Sequence, residues 1–568
     1  MRRMDITFLG GATTVTGSTF LISTDRAKVL VDCGMFQGSP NESIRNRIPF
    51  GFDPAALDAV LLTHAHLDHC GRLPLLVKAG YQGKIHATAG TVELASLVLL
   101  DSGHLHEEFA KREARWEKRH PDEVEADDRQ EAEAYQAAVD LAAAGGSEEV
   151  AVETEDAPRQ DVAAATTAAE SMTAEPWQAS APGEHVETTI EPERAPGATI
   201  PDPEEELRRQ PPMLDIDLDV PLYTVKDAER ALDHFRPIEY DQEREVAPGV
   251  FATFLDAGHI LGSAIIRIRV QEGGEERVIV CSGDLGRPGT PIIRDPTYLK
   301  DADYVLVEST YGGREHEPQD EAVRILAETV RLVADAGGVL LVPSFAIGRT
   351  QEVVWELDRL IEKGEIPILP LYLDSPMATK ATAIYRRYPE YFDEETATLL
   401  RDGDTPLDYP AQVVTNSAKE SQAIQFAQRP YMIVASNGML TGGRVVGHLR
   451  NLIDDPNATL LFVGYQGEGT LGAHLQAGAT SVRLDGQTRQ VRCTVRSIAG
   501  FSAHADEGEL LDWIGRFADG KRPGDPGFPR TVFLVHGDPE AQVALQPKVQ
   551  ALGFRTQIPK WHQRVPLE

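Results

Sequence analysis

The sequence predicts an α/β fold, and three features of the chain support this prediction. Strand-like and helix-like segments alternate over residues 1–105, and a second strand–helix alternation begins near residue 320. The second pattern is typical of a doubly wound sheet with helices on both faces. Histidine or aspartate also recurs where apolar strands end, which places polar side chains at one edge of a sheet sandwich. We therefore expect a layered molecule whose strand ends form a functional site.

The individual elements follow from hydrophobic periodicity and from the turn residues that separate the apolar runs. In residues 1–105 the sequence predicts strands at 5–9, 18–22, 28–32, 60–63 and 84–87 and helices at 73–78 and 92–100. Beyond residue 215 it predicts strands at 250–255, 264–270, 277–282, 304–307, 339–343, 368–373, 431–435, 493–498 and 531–535, and helices at 350–361 and 378–388.

The segment from about 118 to 215 differs from the rest of the chain in composition. Residues 121–210 contain 24 acidic and 5 basic side chains, so they carry −19 of the formal net charge of −34. The segment is rich in Ala, Glu, Thr and Pro and has few bulky aliphatic residues, which predicts disorder with a transient helix over 131–144. We interpret it as an expanded loop. An arm that binds a partner, or one that competes with substrate, remains open.

The rest of the composition is that of a soluble globular protein. Hydrophobic residues make up 42% of the chain, and no apolar run approaches the roughly 18–20 residues that span a bilayer. The first residues lack a signal-peptide core, and four scattered cysteines are typical of a reducing compartment. We therefore expect a cytoplasmic protein without membrane association. The acidic charge argues against a large basic surface for nucleic acid, so phosphate binding would depend on local features.

Four side chains that can bind a metal ion fall within six residues, at His64, His66, Asp68 and His69. His64 and His66 would point to different sides of a helix, so the run fits a loop that leaves a buried strand. Imidazole nitrogens and carboxylate oxygens are ligands of zinc-like ions. The run predicts a metal pair that generates hydroxide and holds an anionic substrate.

Three further residues follow other predicted strands. Asp32 is a poor metal ligand by itself, but it is a good acceptor for fixing the tautomer of a histidine. His259 and Asp284 follow two later strands. A carboxylate is the usual bridge between two metal ions, and Asp284 suits that role.

These residues carry a resemblance to a known superfamily. The pattern His64-x-His66-x-Asp68-His69, with the three residues above, resembles the metallo-β-lactamase superfamily. That superfamily has an αβ/βα sandwich with a two-metal hydrolytic centre. Because it contains thioesterases, lactonases, lactamases and nucleases, the resemblance implies a reaction type but no substrate.

Three later motifs narrow the resemblance. Glu308 lies in Val-Glu-Ser-Thr-Tyr-Gly, His504 in Phe-Ser-Ala-His-Ala-Asp, and His536 in Val-His-Gly-Asp. These motifs are similar to motifs A, B and C of the β-CASP nucleases. That group includes the endonuclease subunit of the cleavage and polyadenylation specificity factor and its prokaryotic homologues. The resemblance implies a lactamase-like domain formed by 1–313 and 490–568, with an inserted β-CASP α/β cap at 314–489.

The resemblance also implies a role for each motif residue and two Zn²⁺ ions per chain. The implied ligands are His64, His66 and His259 for one zinc ion, Asp68, His69 and His536 for the other, and Asp284 as the bridge. His504 would protonate the leaving 3′ oxygen. Glu308 would form a hydrogen bond with His504 and tune the pKa of that histidine. Asp68 and Asp284 complete the catalytic set, and Asp32 would orient the histidine run. Ser502, Ser436 and Arg349 are further candidates for contact with substrate phosphate.

The sequence therefore predicts a zinc-dependent ribonuclease that acts on single-stranded RNA, as an endonuclease, a 5′-exonuclease or both. Histidine at motif C favours RNA, because DNA-acting members resemble this pattern but usually have an apolar residue there. A small-molecule hydrolase of the thioesterase or lactonase type and a DNA-acting β-CASP nuclease are the alternatives. A homodimer, and a partner that binds the acidic segment, also remain open.

Overall fold

The structure is a computed structural model that describes residues 4–38, 40–143, 220–464, 466–467, 469–484 and 486–567. Two seven-stranded sheets form the layers of the first domain. In order across the first sheet, the strands are β22 (Arg564–Leu567), β1 (Met4–Gly10), β2 (Thr19–Ser23), β3 (Lys28–Val31), β4 (Ala59–Leu61), β5 (Lys84–Ala87) and β6 (Phe235–Pro237). In the second sheet they are β21 (Thr556–Gln557), β20 (Thr531–Val535), β11 (Tyr304–Glu308), β10 (Glu275–Cys281), β9 (Ala264–Glu272), β8 (Val250–Asp256) and β7 (Arg244–Ala247).

The two sheets pack face to face, as predicted for a sandwich. Apolar side chains of both sheets share one core, in which the ring centroids of Phe8 and Phe533 lie 5.2 Å apart. The end of the chain closes both layers, because β22 pairs with β1 and β20 pairs with β11. Residues far apart in sequence are therefore needed to complete each sheet.

A third sheet of six strands forms the cap. Its order is β14 (Gln412–Val414), β13 (Leu371–Asp374), β15 (Tyr431–Ala435), β12 (Val339–Pro343), β16 (Ala458–Phe462) and β19 (Thr494–Ser497). All five pairings are parallel. Leu340 and Val342 face one apolar core while Val339 and Leu341 face another, which confirms helices on both faces. A separate hairpin consists of β17 (Ser481–Leu484) and β18 (Gln487–Gln490).

The position of β19 differs from our expectation that the cap ends at residue 489. This strand pairs with β16 and so belongs to the third sheet. Its four residues are only partly buried, and so short an edge strand has no pattern that tells which sheet it joins.

The helices cover the outer faces of the sheets. They are α1 (Pro40–Ser43), α2 (Leu67–Cys70), α3 (Leu73–Lys78), α4 (Ala89–Glu117), α5 (Pro121–Ala143), α6 (Val225–Leu232), α7 (Gln319–Asp335), α8 (Arg349–Glu362), α9 (Pro376–Tyr385), α10 (Glu394–Arg401), α11 (Ala418–Ala423), α12 (Arg444–Leu452), α13 (Leu471–Gln476), α14 (Glu507–Gly515) and α15 (Pro539–Ala551). Short 3₁₀ turns occupy Ile44–Arg47, Pro54–Ala56, Pro389–Tyr391, Ile424–Phe426 and Arg516–Ala518. Of the helices in the described ranges, none is long and apolar enough to cross a membrane.

Helix α5 corrects part of the prediction for the acidic segment. Disorder was expected from about residue 118, with a transient helix over 131–144, but the helix already begins at Pro121. It packs against the turn at Ile44–Arg47, and Tyr135 and Ala138 are buried. These two residues are three apart and share a helix face, a local apolar contact that average composition hides. The rest of the predicted disordered segment, 144–215, lies outside the described residues.

Candidate metal centre

The predicted donor side chains converge because the strands that precede them end at the same edge. His64 and His66 lie in the loop between β4 and α2, and Asp68 and His69 lie in α2 itself. In the second sheet β8, β10, β11 and β20 run in the same direction. His259, Asp284 and His536 follow three of these strands, and Glu308 is the last residue of β11.

One set of donors consists of three histidines. Nδ1 of His66 lies 3.1 Å from Nε2 of His64 and 3.1 Å from Nε2 of His259. Oδ2 of Asp284 lies 3.4 Å from Nε2 of His64 and 3.5 Å from Nε2 of His259. Three imidazole nitrogens and one carboxylate oxygen therefore surround a single point.

A second set lies on the other side of Asp284. Asp68, His69 and His536 form a further group in which Nε2 of His536 is 3.5 Å from Oδ2 of Asp68. Oδ1 of Asp284 lies 3.2 Å from Nε2 of His69 and 3.5 Å from Nδ1 of His536. Asp284 thus directs one oxygen to each set.

The unsatisfied polar atoms at this site fit a pair of cations. Nε2 of His69 and Oδ1 of Asp284 are buried, and neither forms a hydrogen bond with any described residue. Buried polar atoms without a partner are costly in a native structure and usually indicate a bound group. Imidazole and carboxylate donors in sets of this size match zinc. The residues present therefore fit a two-metal centre.

The electrostatics agree with cation binding. Burial lowers the pKa of His64 to about 3 and that of His66 to about 4, and it holds the pKa of His259 well below its usual range. These rings are neutral at pH 7 and each has a nitrogen lone pair for a metal. Burial also opposes the charged forms of His69 and His536, but neighbouring carboxylates outweigh it and raise both pKa values. Metal binding would displace these protons.

Asp32 lies behind the second set and is 1% exposed. Its Oδ2 is 2.8 Å from Nδ1 of His69, while the backbone N–H and the hydroxyl of Thr63 donate to its two oxygens. A proton on Nδ1 of His69 leaves Nε2 free to face the metal centre. This is the geometry expected of a residue that fixes the orientation of a histidine.

Glu308 and His504 form a pair beside the metal centre. Glu308 is fully buried, and its Oε1 accepts a hydrogen bond from the Leu285 backbone N–H at 2.8 Å. The same oxygen lies 3.1 Å from Nδ1 of His504, whose side chain is 20% exposed. Although burial disfavours the imidazolium, the charge and hydrogen bond of Glu308 and the charges of Asp284 and Asp68 raise the pKa of His504 to about 9. These carboxylates favour the protonated form of His504 at neutral pH in the metal-free site.

The loop that carries His504 is held by Ser502 and by two residues that were not predicted from the sequence, His316 and Arg287. Nε2 of His316 lies 3.2 Å from the backbone oxygen of His504, and the hydroxyl of Ser502 accepts from its N–H at 3.3 Å. The Arg287 guanidinium donates to the Gly500 carbonyl and lies 3.2 Å from Glu509. The contacts of His316 and Arg287 join loops that are about 190–220 residues apart in sequence, so no local pattern could have predicted them.

The metal centre lies in a cleft between the sandwich and the cap. The three predicted phosphate contacts, Ser502, Ser436 and Arg349, all line this cleft. Each is at least nine-tenths buried. Ser436 donates to the Ser375 hydroxyl at 3.0 Å, and Arg349 forms an ion pair with Glu352. The contact of these side chains with phosphate remains a prediction.

The fold and the donor set define a metallo-β-lactamase-type hydrolase with an inserted cap. Comparison with protein families gives the same result. The family described as "Metallo-beta-lactamase superfamily" matches residues 12–136, "Beta-Casp domain" matches 350–475, and "Zn-dependent metallo-hydrolase RNA specificity domain" matches 488–559.

Similarity to individual proteins extends over nearly the whole chain. Ribonuclease TTHA0252 of Thermus thermophilus is 33% identical over 564 residues, which are 99% of this chain and 100% of that protein. Transcription termination factor FttA of Methanosarcina mazei is 29% identical, over 96% of this chain and 68% of that protein. FttA of Methanocaldococcus jannaschii is 28% identical, over 94% and 67%. The chain belongs to the β-CASP family of metal-dependent hydrolases with the metallo-β-lactamase fold.

Proposed function

We propose that this protein is a zinc-dependent ribonuclease that hydrolyses phosphodiester bonds of single-stranded RNA. The observation that carries the proposal is the arrangement of seven donor side chains in two sets, joined by Asp284, in a cleft between two domains. A relative that aligns over its full length is named a ribonuclease, and residues 488–559 match a family described as an RNA specificity domain. Both comparisons support RNA as the substrate class.

The proposed roles of the metal ligands follow from their geometry. His64, His66 and His259 would hold one ion, Asp68, His69 and His536 the other, and Asp284 both. When bound, the two ions would supply hydroxide at neutral pH and neutralise charge on the attacked phosphate. Asp32 would keep His69 in the tautomer that faces the centre.

His504 would act as the general acid. Its Nδ1 is engaged by Glu308, so Nε2 is the nitrogen left for substrate, and the ring lines the cleft. A protonated imidazole can give its proton to the leaving 3′ oxygen as the P–O bond breaks. Glu308 would keep the ring charged and oriented, and the contacts of Ser502 and His316 with the His504 backbone would fix the loop.

The proposal is tested with single-stranded RNA labelled at its 5′ end, incubated with the purified protein in the presence and absence of a chelator. We expect chelator-sensitive cleavage that zinc restores. Labelled mononucleotide would indicate 5′-exonuclease action, and labelled fragments of intermediate length would indicate endonuclease action. His536→Ala should abolish cleavage, whereas His474→Ala, an exposed cap histidine outside the cleft, should not. Hydrolysis of thioesters or lactones by a zinc-loaded protein that leaves RNA intact would overturn the proposal.

A further inference from the structure

The walls of the cleft are largely apolar, although the proposed substrate is a polyanion. Among the described residues that line it, Arg349 is the only lysine or arginine, and its guanidinium is paired with Glu352. Val15, Phe345 and Met439, in contrast, line the cleft and are only partly buried. Partly exposed apolar side chains in a cleft that contains metal ligands favour a ligand group with an apolar face.

Among the described residues that line the cleft, Phe345 is the only phenylalanine, tyrosine or tryptophan, and its position is well supported. It lies between β12 and α8, where its backbone oxygen accepts from the N–H and the hydroxyl of Thr350 at 3.2 and 2.7 Å. The ring packs on Gly438, because a Cβ atom at that position would lie 3.0 Å from ring atoms Cδ2 and Cε2. Because residue 438 has no side chain, the Phe345 ring can lie directly against the backbone there.

Met439 lines the same cleft. It directly follows Gly438, and its N–H donates to Oδ1 of Asn437 at 2.8 Å, which anchors the loop after β15. A methionine side chain is polarisable and adapts its shape to a flat partner. The cap thus presents a supported aromatic ring and an adaptable thioether to the cleft that contains the metal ligands.

We propose that Phe345 and Met439 form a subsite for an unpaired nucleobase next to the scissile phosphate. The inference rests on the proposed ribonuclease function and specifies how the cleft binds its substrate. Stacking on an aromatic ring accepts any base and requires no cation, which fits the single paired arginine. A base within a duplex is already stacked on both faces, so the subsite also favours single-stranded RNA.

The test is a double-mutant cycle that combines removal of the Phe345 ring with removal of one RNA base. The RNA is single-stranded, with a cleavage site mapped for the wild type, and variants of it have an abasic ribose at each nucleotide flanking that site in turn. Loss of the base in the subsite should lower the wild-type kcat/KM about tenfold. Phe345→Ala should lower kcat/KM on intact RNA by about the same factor and show no further loss on the abasic RNA.

Two further variants separate stacking from general damage. Phe345→Trp should keep the discrimination between intact and abasic RNA, because it keeps an aromatic face. Phe426→Ala removes a cap phenylalanine that is 83% exposed and outside the cleft lining, and it should leave both rates unchanged.

Two outcomes would overturn the subsite while leaving the nuclease proposal intact. The first is equal wild-type rates on intact RNA and on every abasic RNA. The second is a Phe345→Ala variant that still loses about tenfold in kcat/KM when the base is removed. A wild type that cleaves no RNA would overturn both proposals.

Discussion

Nδ1 of His504 lies 3.1 Å from Glu308, whereas its Nε2 is available to the cleft. The protonation of His504 should therefore depend on the Glu308 carboxylate. Against the effect of burial, the pKa of His504 is raised to about 9, chiefly by Glu308 and further by the charges of Asp284 and Asp68. If His504 is the general acid, activity is present below this pKa and lost as the pH rises through it. Glu308→Gln keeps the size of the side chain and removes the charge, so it should lower the pKa of His504 and move the basic limb of kcat/KM to lower pH.

This prediction is checked by measuring kcat/KM from about pH 6 to about pH 10 for wild type and variant. Glu315→Gln is the matched control, since it removes the charge of an exposed glutamate that follows the same strand. It should leave the pH profile unchanged. An unshifted basic limb in Glu308→Gln would contradict the assignment of that limb to His504.

The residues of the site differ in how far the sequence could predict them. The histidine run and Asp284 are recognisable because metal binding requires particular donor atoms at strand ends. His316 and Arg287 act through backbone oxygens of a distant loop. Many side chains can donate to a carbonyl, so no residue type or spacing identifies such a role before the loops are placed in space.

At the level of elements, the cap strand β13 ends in a buried carboxylate that accepts hydrogen bonds from residues of two helices. Asp374 is the last residue of β13 and is fully buried. It accepts from Arg444 at 2.7 Å, from His448 at 2.6 Å and from Ser421 at 2.5 Å. The carboxylate thereby joins β13 to α12 and α11. Removal of one partner from such a network leaves an uncompensated charge in the interior.

Asp374→Ala should therefore lower the free energy of unfolding by about 3–5 kcal/mol, since Arg444 is 2% exposed and would lose its carboxylate. Unfolding in urea, followed by tryptophan fluorescence to which the buried cap residue Trp355 contributes, measures this change. Asp454→Ala is the control, because Asp454 pairs with Arg489 and the two side chains are 45% and 35% exposed. That variant should cost about 1 kcal/mol or less. Equal effects of the two substitutions would show that the Asp374 network contributes no more than a surface ion pair.

Elements were predictable where burial makes their pattern strong. Strands β11, β12, β15 and β20 are buried along their whole length, and continuous apolar runs reveal such strands. The edge strands β14 and β22 have mixed patterns and three or four residues. Their strand conformation depends on a partner rather than on local preference, so the sequence did not reveal them.

At the scale of the whole molecule, the charge and the proposed substrate have the same sign. The formal net charge is −34, and residues 121–210 contribute −19 of it. Electrostatic steering of RNA by the protein as a whole is therefore unfavourable. Binding has to come from the metal centre, from hydrogen bonds and from contact with the bases, all of which act only at short range.

Recognition by short-range contacts, without long-range attraction, predicts that the rate of cleavage depends only weakly on salt concentration. Each phosphate neutralised by a protein cation contributes about −0.7 to the slope of log(kcat/KM) against log[salt] for a single strand. Besides the metal centre, the described residues that line the cleft include one arginine, which is paired with Glu352, so we expect a slope of about −1.5 or shallower for a short RNA. The measurement uses potassium chloride at constant zinc concentration, with RNA concentrations well below KM. Because salt also screens the repulsion between RNA and the acidic protein, a slope near zero is consistent with the same description. A slope of about −4 or steeper would require a basic track along the RNA, and would contradict recognition by the apolar walls of the cleft.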